Sequence, residues 1–180
     1  MAMTLLATNT PSGVSSSAFT SSIDSTYKLY IFKFINIAMA TNDAEFTWNG
    51  STDSGSNYNA TKTVSAFASG HNEDDSDAFM EYKGGSDLYQ STAYQNISQD
   101  PEGTGTESEA AGSGTLFLFN PSNTTYVKHF YCVFTFLQTT PSAWSMHTSG
   151  YFNTTSAIDA VDFKPSSGNF SGTIKMYGVG

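Results

Sequence analysis

The 180-residue sequence predicts an all-β protein, a two-sheet, jelly-roll-like sandwich of about ten antiparallel strands. Composition is the first reason. Ser, Thr and Asn make up about a third of the chain, and charged residues only 13%, about half the usual share. Coiled coils and long helical bundles need far more Ala, Leu, Glu, Lys and Arg than this. The second reason is that 14 Phe, 10 Tyr and 2 Trp supply enough apolar surface to build a core, which argues against disorder. The third is periodicity. No segment sustains an i, i+3, i+4, i+7 apolar series, whereas several runs rich in β-branched and aromatic residues lie between Gly, Asn, Ser and Asp clusters.

In chain order, short runs of strand character fall at Thr4–Ala7 and Ser17–Thr20. Tyr27–Ile37 is stronger: Leu29, Ile31, Ile35 and Ile37 share one face, and Tyr30, Phe32 and Phe34 the other, so both faces are expected to be covered. Further strands are expected at Ala44–Trp48, Thr61–Ala68, Ala78–Lys83 and Thr115–Asn120. Tyr126–Leu137 is the best of all. Its even positions (Tyr126, Lys128, Phe130, Cys132, Phe134, Phe136) are nearly all apolar and its odd positions mixed, as in a central strand of a packed sheet. Ala143–Thr148 and Ala157–Phe163 follow. Gly172–Val179 alternates to the last residues, which predicts a C-terminus tied into a sheet.

Three polar loops separate these elements, at Gly50–Asn59, Gly70–Asp77 and Gln99–Gly114. There is no internal repeat of fixed period, which excludes a propeller or solenoid. Residues 1–180 read as one domain, with 1–22 as an N-terminal arm or docking segment joined through the Ser-rich stretch Pro11–Ser22.

Seven Lys, no Arg and sixteen acids give a net charge of -9. Nucleic acid and anionic membrane surfaces are therefore poor partners. With no arginine fork for phosphate or carboxylate ligands, contacts with other proteins are expected to be apolar and hydrogen-bonded. Cys132 is the single cysteine, so no intrachain disulfide and no cysteine zinc motif is available; on the apolar face of its strand it reads as a small core hydrophobe. The opening Met1–Leu6 lacks the basic and long apolar regions of a secretory signal, and no apolar stretch is long enough to span a membrane as a helix. The expectation is a protein made in a cytoplasm.

Candidate chemistry is sparse. His71, Glu73, Asp74, Asp75 and Asp77 form the densest set of oxygen and nitrogen ligands, but the EF-hand spacing is missing and a solvated acidic turn is the expected reading over calcium. His129 lies on the mixed face of a strong strand, and His147 is expected in a loop or edge strand near Trp144; neither has a recognisable catalytic partner. Trp48, Trp144, Tyr151 and Phe152 have the rings for a carbohydrate platform, but core packing is the expected use of such aromatics. Six Asn-x-Ser/Thr sequons, at Asn49, Asn59, Asn96, Asn123, Asn153 and Asn169, follow from how common those residues are. No catalytic residue, cofactor site or metal site is assigned, and the protein is not expected to be an enzyme.

Two stretches carry a resemblance. One runs from Leu6-Ala7-Thr8 through Phe19-Thr20-Ser21-Ser22-Ile23-Asp24-Ser25-Thr26-Tyr27 to Tyr30-Ile31-Phe32-Lys33-Phe34-Ile35-Asn36-Ile37; the other is Ser166-Ser167-Gly168-Asn169-Phe170-Ser171 with the closing Gly172-Thr173-Ile174-Lys175-Met176-Tyr177-Gly178-Val179. Together with Phe119-Asn120-Pro121-Ser122-Asn123-Thr124-Thr125-Tyr126-Val127-Lys128-His129, the chain resembles small exterior virion proteins of marine tailed bacteriophages. That resemblance implies a β-sandwich module on a virion. The module would decorate the capsid or dock on the tail, as a homotrimer by analogy with virion jelly rolls, with other virion proteins as partners. The alternative it leaves open is a receptor-binding or glycan-binding tip domain of a tail fibre, whose ligand would be a host surface glycan.

Overall fold

The structure is a computed structural model that describes residues 2–98, 110–138 and 142–180. Among these residues there is no helix, and thirteen strands form two antiparallel sheets. The strands are β1 (Met3–Asn9), β2 (Ser17–Phe19), β3 (Leu29–Met39), β4 (Phe46–Ser51), β5 (Lys62–Asn72), β6 (Ala78–Tyr82) and β7 (Leu88–Ser91). They continue as β8 (Gln95–Asn96), β9 (Gly112–Phe119), β10 (Lys128–Leu137), β11 (Ser142–Phe152), β12 (Ala160–Pro165) and β13 (Phe170–Val179). The large sheet runs β1-β13-β3-β9-β10-β11-β5-β6, with β7 also on β5; the small sheet runs β2-β12-β4-β8. The chain steps into the small sheet at β2, β4, β8 and β12 and returns to the large one each time, which stitches the sandwich together along its length.

The core is aromatic because alternation puts rings on both inner faces. From β10 the even residues Phe130, Cys132, Phe134 and Phe136 point inward, as the sequence pattern requires. From the small sheet come Phe46, Trp48 and Phe163, all without solvent exposure. Phe163 meets the rings of Phe19, Phe32, Phe34, Phe46 and Trp48 at centroid distances of 5.1–6.4 Å. Each such ring contributes roughly 1.5–3 kcal/mol by burial, and each favourable pair about 0.5–1.5 kcal/mol more.

The face assignment for β3 needs correction. Tyr30, Phe32 and Phe34 face the core, but Ile37 and Met39 join them there while Ile35 is 40% exposed. A β-bulge causes the switch. Phe34 pairs with Gly114 and Ile37 with Gly112, and the extra residue is absorbed at Asn36, which takes φ 51°. On the other side β13 is irregular at the same level, between Ser171 and Thr173, with Gly172 at φ 145°. A bulge changes parity without changing composition, so alternation alone misses it.

The two sheets differ in what covers their outer faces. The small sheet is buried on both sides. Asn49 donates to the carbonyls of Tyr58 and Thr92 at 2.8 and 2.9 Å, which pins two loops across its outside. Lys164 adds a cation–π contact, its Nζ 4.0 Å from the centre of the Tyr94 ring. Among the described residues, no such cover lies over much of the large sheet's outer face. A partner or ligand therefore has one broad face to meet.

Candidate functional site

Cross-strand register maps the outer face of the large sheet. One row runs Leu5, Tyr177, Ile31, Phe117, Tyr131, Ser149, Ser65 across seven strands. The row beside it begins Met3, Val179, Leu29, Phe119, and reaches His129, Tyr151 and Thr63 on β10, β11 and β5. The β1 half of both rows is apolar. It spans four strand spacings to Tyr131, roughly 19 Å, and it ends at β1, whose second edge pairs with no strand among the described residues. Met3 and Leu5 stand about half exposed on that edge strand. An open edge with apolar side chains is the feature that soluble proteins usually blunt.

Toward β5 the character changes. Ser65 and Ser149 face each other with hydroxyl oxygens 3.3 Å apart and form a low, polar floor. A Cβ on neighbouring Gly150 would collide with the Thr63 carbonyl oxygen, so β11 and β5 pass too closely there for any residue but glycine. Aromatic walls rise on both sides: Phe119, Tyr131 and Tyr151 on one, Tyr82 and Tyr89 on the other, with His129 and Asp87 among them. The slot encloses about 710 Å³. Phe117 stacks on Tyr131 at 4.5 Å and stiffens that wall. The Tyr82 hydroxyl donates to Asp87 at 2.7 Å, and that bond to the carboxylate holds the phenol above its usual range. Tyr89 projects almost fully into solvent, 86% exposed.

A second recess of about 590 Å³ lies at the other end of the same face. Its lining combines small or hydroxylated residues (Ser69, Ala111, Ser113, Thr135, Ala143 and Ser145) with His71, Glu73 and Leu137. Its two large rings, Phe136 and Trp144, are only 4% and 8% exposed. The slot is somewhat roomier, and far more of its lining is aromatic ring.

Most of the residues singled out in the sequence lie elsewhere. Of the carbohydrate platform, Trp48 and Phe152 are fully buried and pack on each other at 5.4 Å, and Trp144 is packed edge-on by Phe79 at 4.5 Å with Lys83 over its ring. Only Tyr151 reaches the outer face. The acidic segment is a hairpin turn: Asn72 and Asp77 bond across it, Asp75 takes φ 59°, and Asp74 caps the Ser76 amide. His71 contacts Asp75 at 3.0 Å, but among the described residues no group of three or more His, Cys, Asp or Glu side chains converges as a metal site. His147 belongs to β11, an interior strand, where it stacks on Phe67 at 4.7 Å; this corrects its placement in a loop or edge strand. Cys132 is buried, and burial pushes its thiol up, away from reactivity. Most of the Gln99–Gly114 loop lies outside the described residues.

Sequence reasoning did not identify Tyr82 and Tyr89 as functional candidates. The signal available was a pair of tyrosines flanking the Gly84-Gly85 turn with few apolar neighbours to bury them. No family model, no curated protein and no solved structure matches this chain.

Proposed function

We propose that the protein is a non-enzymatic exterior structural protein of a tailed bacteriophage virion, decorating the capsid or docking on the tail, and assembling as a homotrimer. The observation that carries the docking part is the apolar β1 half of the outer face, with Met3 and Leu5 exposed beside a strand edge that pairs with no strand among the described residues. This surface suits attachment to other proteins through burial and strand pairing, and the scarcity of cations leaves few ion pairs to compete. The virion itself comes from the resemblance carried by the two terminal stretches. Multivalent contacts from a trimer would turn weak individual docking into firm attachment.

Mass spectrometry of purified particles tests the proposal. The expected result is this chain in the virion at a fixed ratio to the major capsid protein, hundreds of copies for head decoration or a handful for the tail. A Leu5→Asp variant supplied in infected cells is expected to incorporate poorly while remaining soluble. Finding the chain only free in lysate, or normal incorporation of Leu5→Asp, would overturn it.

A further inference from the structure

We infer that the slot between β10 and the β6–β7 segment binds a neutral saccharide. The inference concerns the free protein and does not rest on particle attachment. Sugars present apolar C–H faces and an equatorial rim of hydroxyls, so a site for them needs flat rings alongside short hydrogen-bonding groups. Both are here. Tyr131, Tyr151 and Tyr89 offer ring surface, and Ser65 and Ser149 lie between the walls as a floor of hydroxyls. Register fixes the width. From Tyr131 on β10 to the strands beyond β5 is three strand spacings, roughly 14 Å between backbones. The two strands between those walls, β11 and β5, both carry serine at the level of Tyr131, so the floor stays low there.

Charge selects the class of saccharide. The lining has a carboxylate, Asp87, and no lysine, in a chain that has no arginine. Sulfated or uronic-acid glycans would meet the Asp87 carboxylate with no lysine or arginine to offset it, His129 being the lining's one basic side chain among the described residues. A second copy of this chain is a poorer occupant. The hydroxyl floor of Ser65 and Ser149 would be desolvated against whatever apolar side chain entered.

Affinity electrophoresis of the intact protein tests the inference, in gels containing laminarin, galactomannan or dextran as neutral probes and alginate as the anionic one. Retardation is expected with at least one neutral polysaccharide and not with alginate. Tyr89→Ala and Tyr131→Ala are each expected to weaken it roughly tenfold. Met80→Ala, exposed but outside the slot, is expected to leave it unchanged. Tyr89 is too exposed for its loss to unfold the protein. No retardation with any neutral probe, retardation indifferent to Tyr89→Ala, or retardation by alginate alone would each overturn the inference. So would a dimer in sedimentation that Tyr89→Ala dissolves, since the slot would then be a self-association surface. Failure here leaves virion incorporation, measured on particles, as a separate result.

Discussion

Lys62 offers the sharpest test of the energetics. It sits on the core side of β5 with no solvent exposure. Its ammonium donates to Asn49 Oδ1 at 2.8 Å and to the carbonyl oxygens of Ala93 and Ala60 at 2.5 and 3.4 Å, with the Phe152 ring 5.8 Å away. No carboxylate forms an ion pair with it among the described residues. Burial without a counter-charge pulls its pKa from 10.5 down to about 7. The unfolded chain therefore takes up this proton near pH 10.5, and the folded chain only near 7. Between those limits the unfolded state holds more protons, so stability rises with pH, by about 1.4 kcal/mol per unit and about 2–3 kcal/mol from pH 7 to pH 9. Below pH 7 both states are protonated and the contribution is flat. Lys62→Met removes the titration while keeping an apolar stem of similar length. Asn49 Oδ1 retains the Gly50 amide at 2.8 Å, so the vacated acceptor is not orphaned. The assay is urea denaturation at intervals from pH 6 to 9.5. The wild-type midpoint is expected to climb above pH 7 relative to the variant, with Lys62→Met the more stable at pH 7. Parallel curves for the two proteins across pH 7–9 would refute the reasoning, because they would mean that the buried amine does not titrate in that window.

Two further predictions use the small sheet. Phe163→Ala leaves a cavity among five aromatic rings and is expected to cost about 3–5 kcal/mol, read as a drop in the denaturation midpoint with unchanged slope. Asp162 is buried. Desolvation raises its carboxyl above the usual range even though Tyr94 donates to Oδ2 at 2.9 Å; the Phe163 and Ser17 amides favour the charged form only weakly, and Oδ1 has no partner within hydrogen-bonding geometry among the described residues. A raised acid favours the folded state below its unfolded pKa and loses that contribution as pH climbs through the folded value. Asp162→Asn is accordingly expected to raise the melting temperature at pH 7 and to do so less at pH 3; equal shifts at both would contradict it.

The strongest strands were legible because their inner faces are chemically uniform. β10 alternates Phe, Cys, Phe, Phe against a mixed face, and burial follows that pattern residue by residue. β11 is harder to place because polar residues occupy its inner face: Ser142 and Thr148 are buried in phase with Trp144, Met146 and Phe152, so the alternation is blurred. Strands β7 and β8 left almost no signal. β8 is two residues long, and its Gln95 and Asn96 are buried through hydrogen bonds to Ser86 instead of apolar packing. Lys128 shows parity overruling residue type. It occupies an inward position at the start of β10, where its stem is buried and its Nζ reaches the carbonyls of Tyr126 and Thr154, both at 3.1 Å. The acidic turn was read correctly as a turn because Asn, Asp and Ser bond their own backbone so readily. The slot was illegible for a different reason. It is made by register, in which serines on β5 and β11 fall opposite Tyr131, and no local pattern encodes which residue lies three strands away.

That register also settles whether attachment and saccharide binding could share one face. The apolar rows begin at β1 and the slot closes at the β6–β7 segment, seven strand spacings apart, roughly 34 Å. Phe119 and Tyr131 sit where the two regions meet. A partner seated on β1, β13 and β3 would leave β11, β5 and the Tyr89 wall open to solvent, whereas a partner extending past β9 would cover Tyr131 and shut the slot. The two proposals are therefore coupled through the footprint of the docking partner. Leu5→Asp, which disturbs only the β1 end, should leave polysaccharide retardation intact. Tyr89→Ala should leave particle incorporation intact. Loss of both properties in either variant would mean that the outer face works as one continuous surface and that its division between β9 and β10 has no functional meaning.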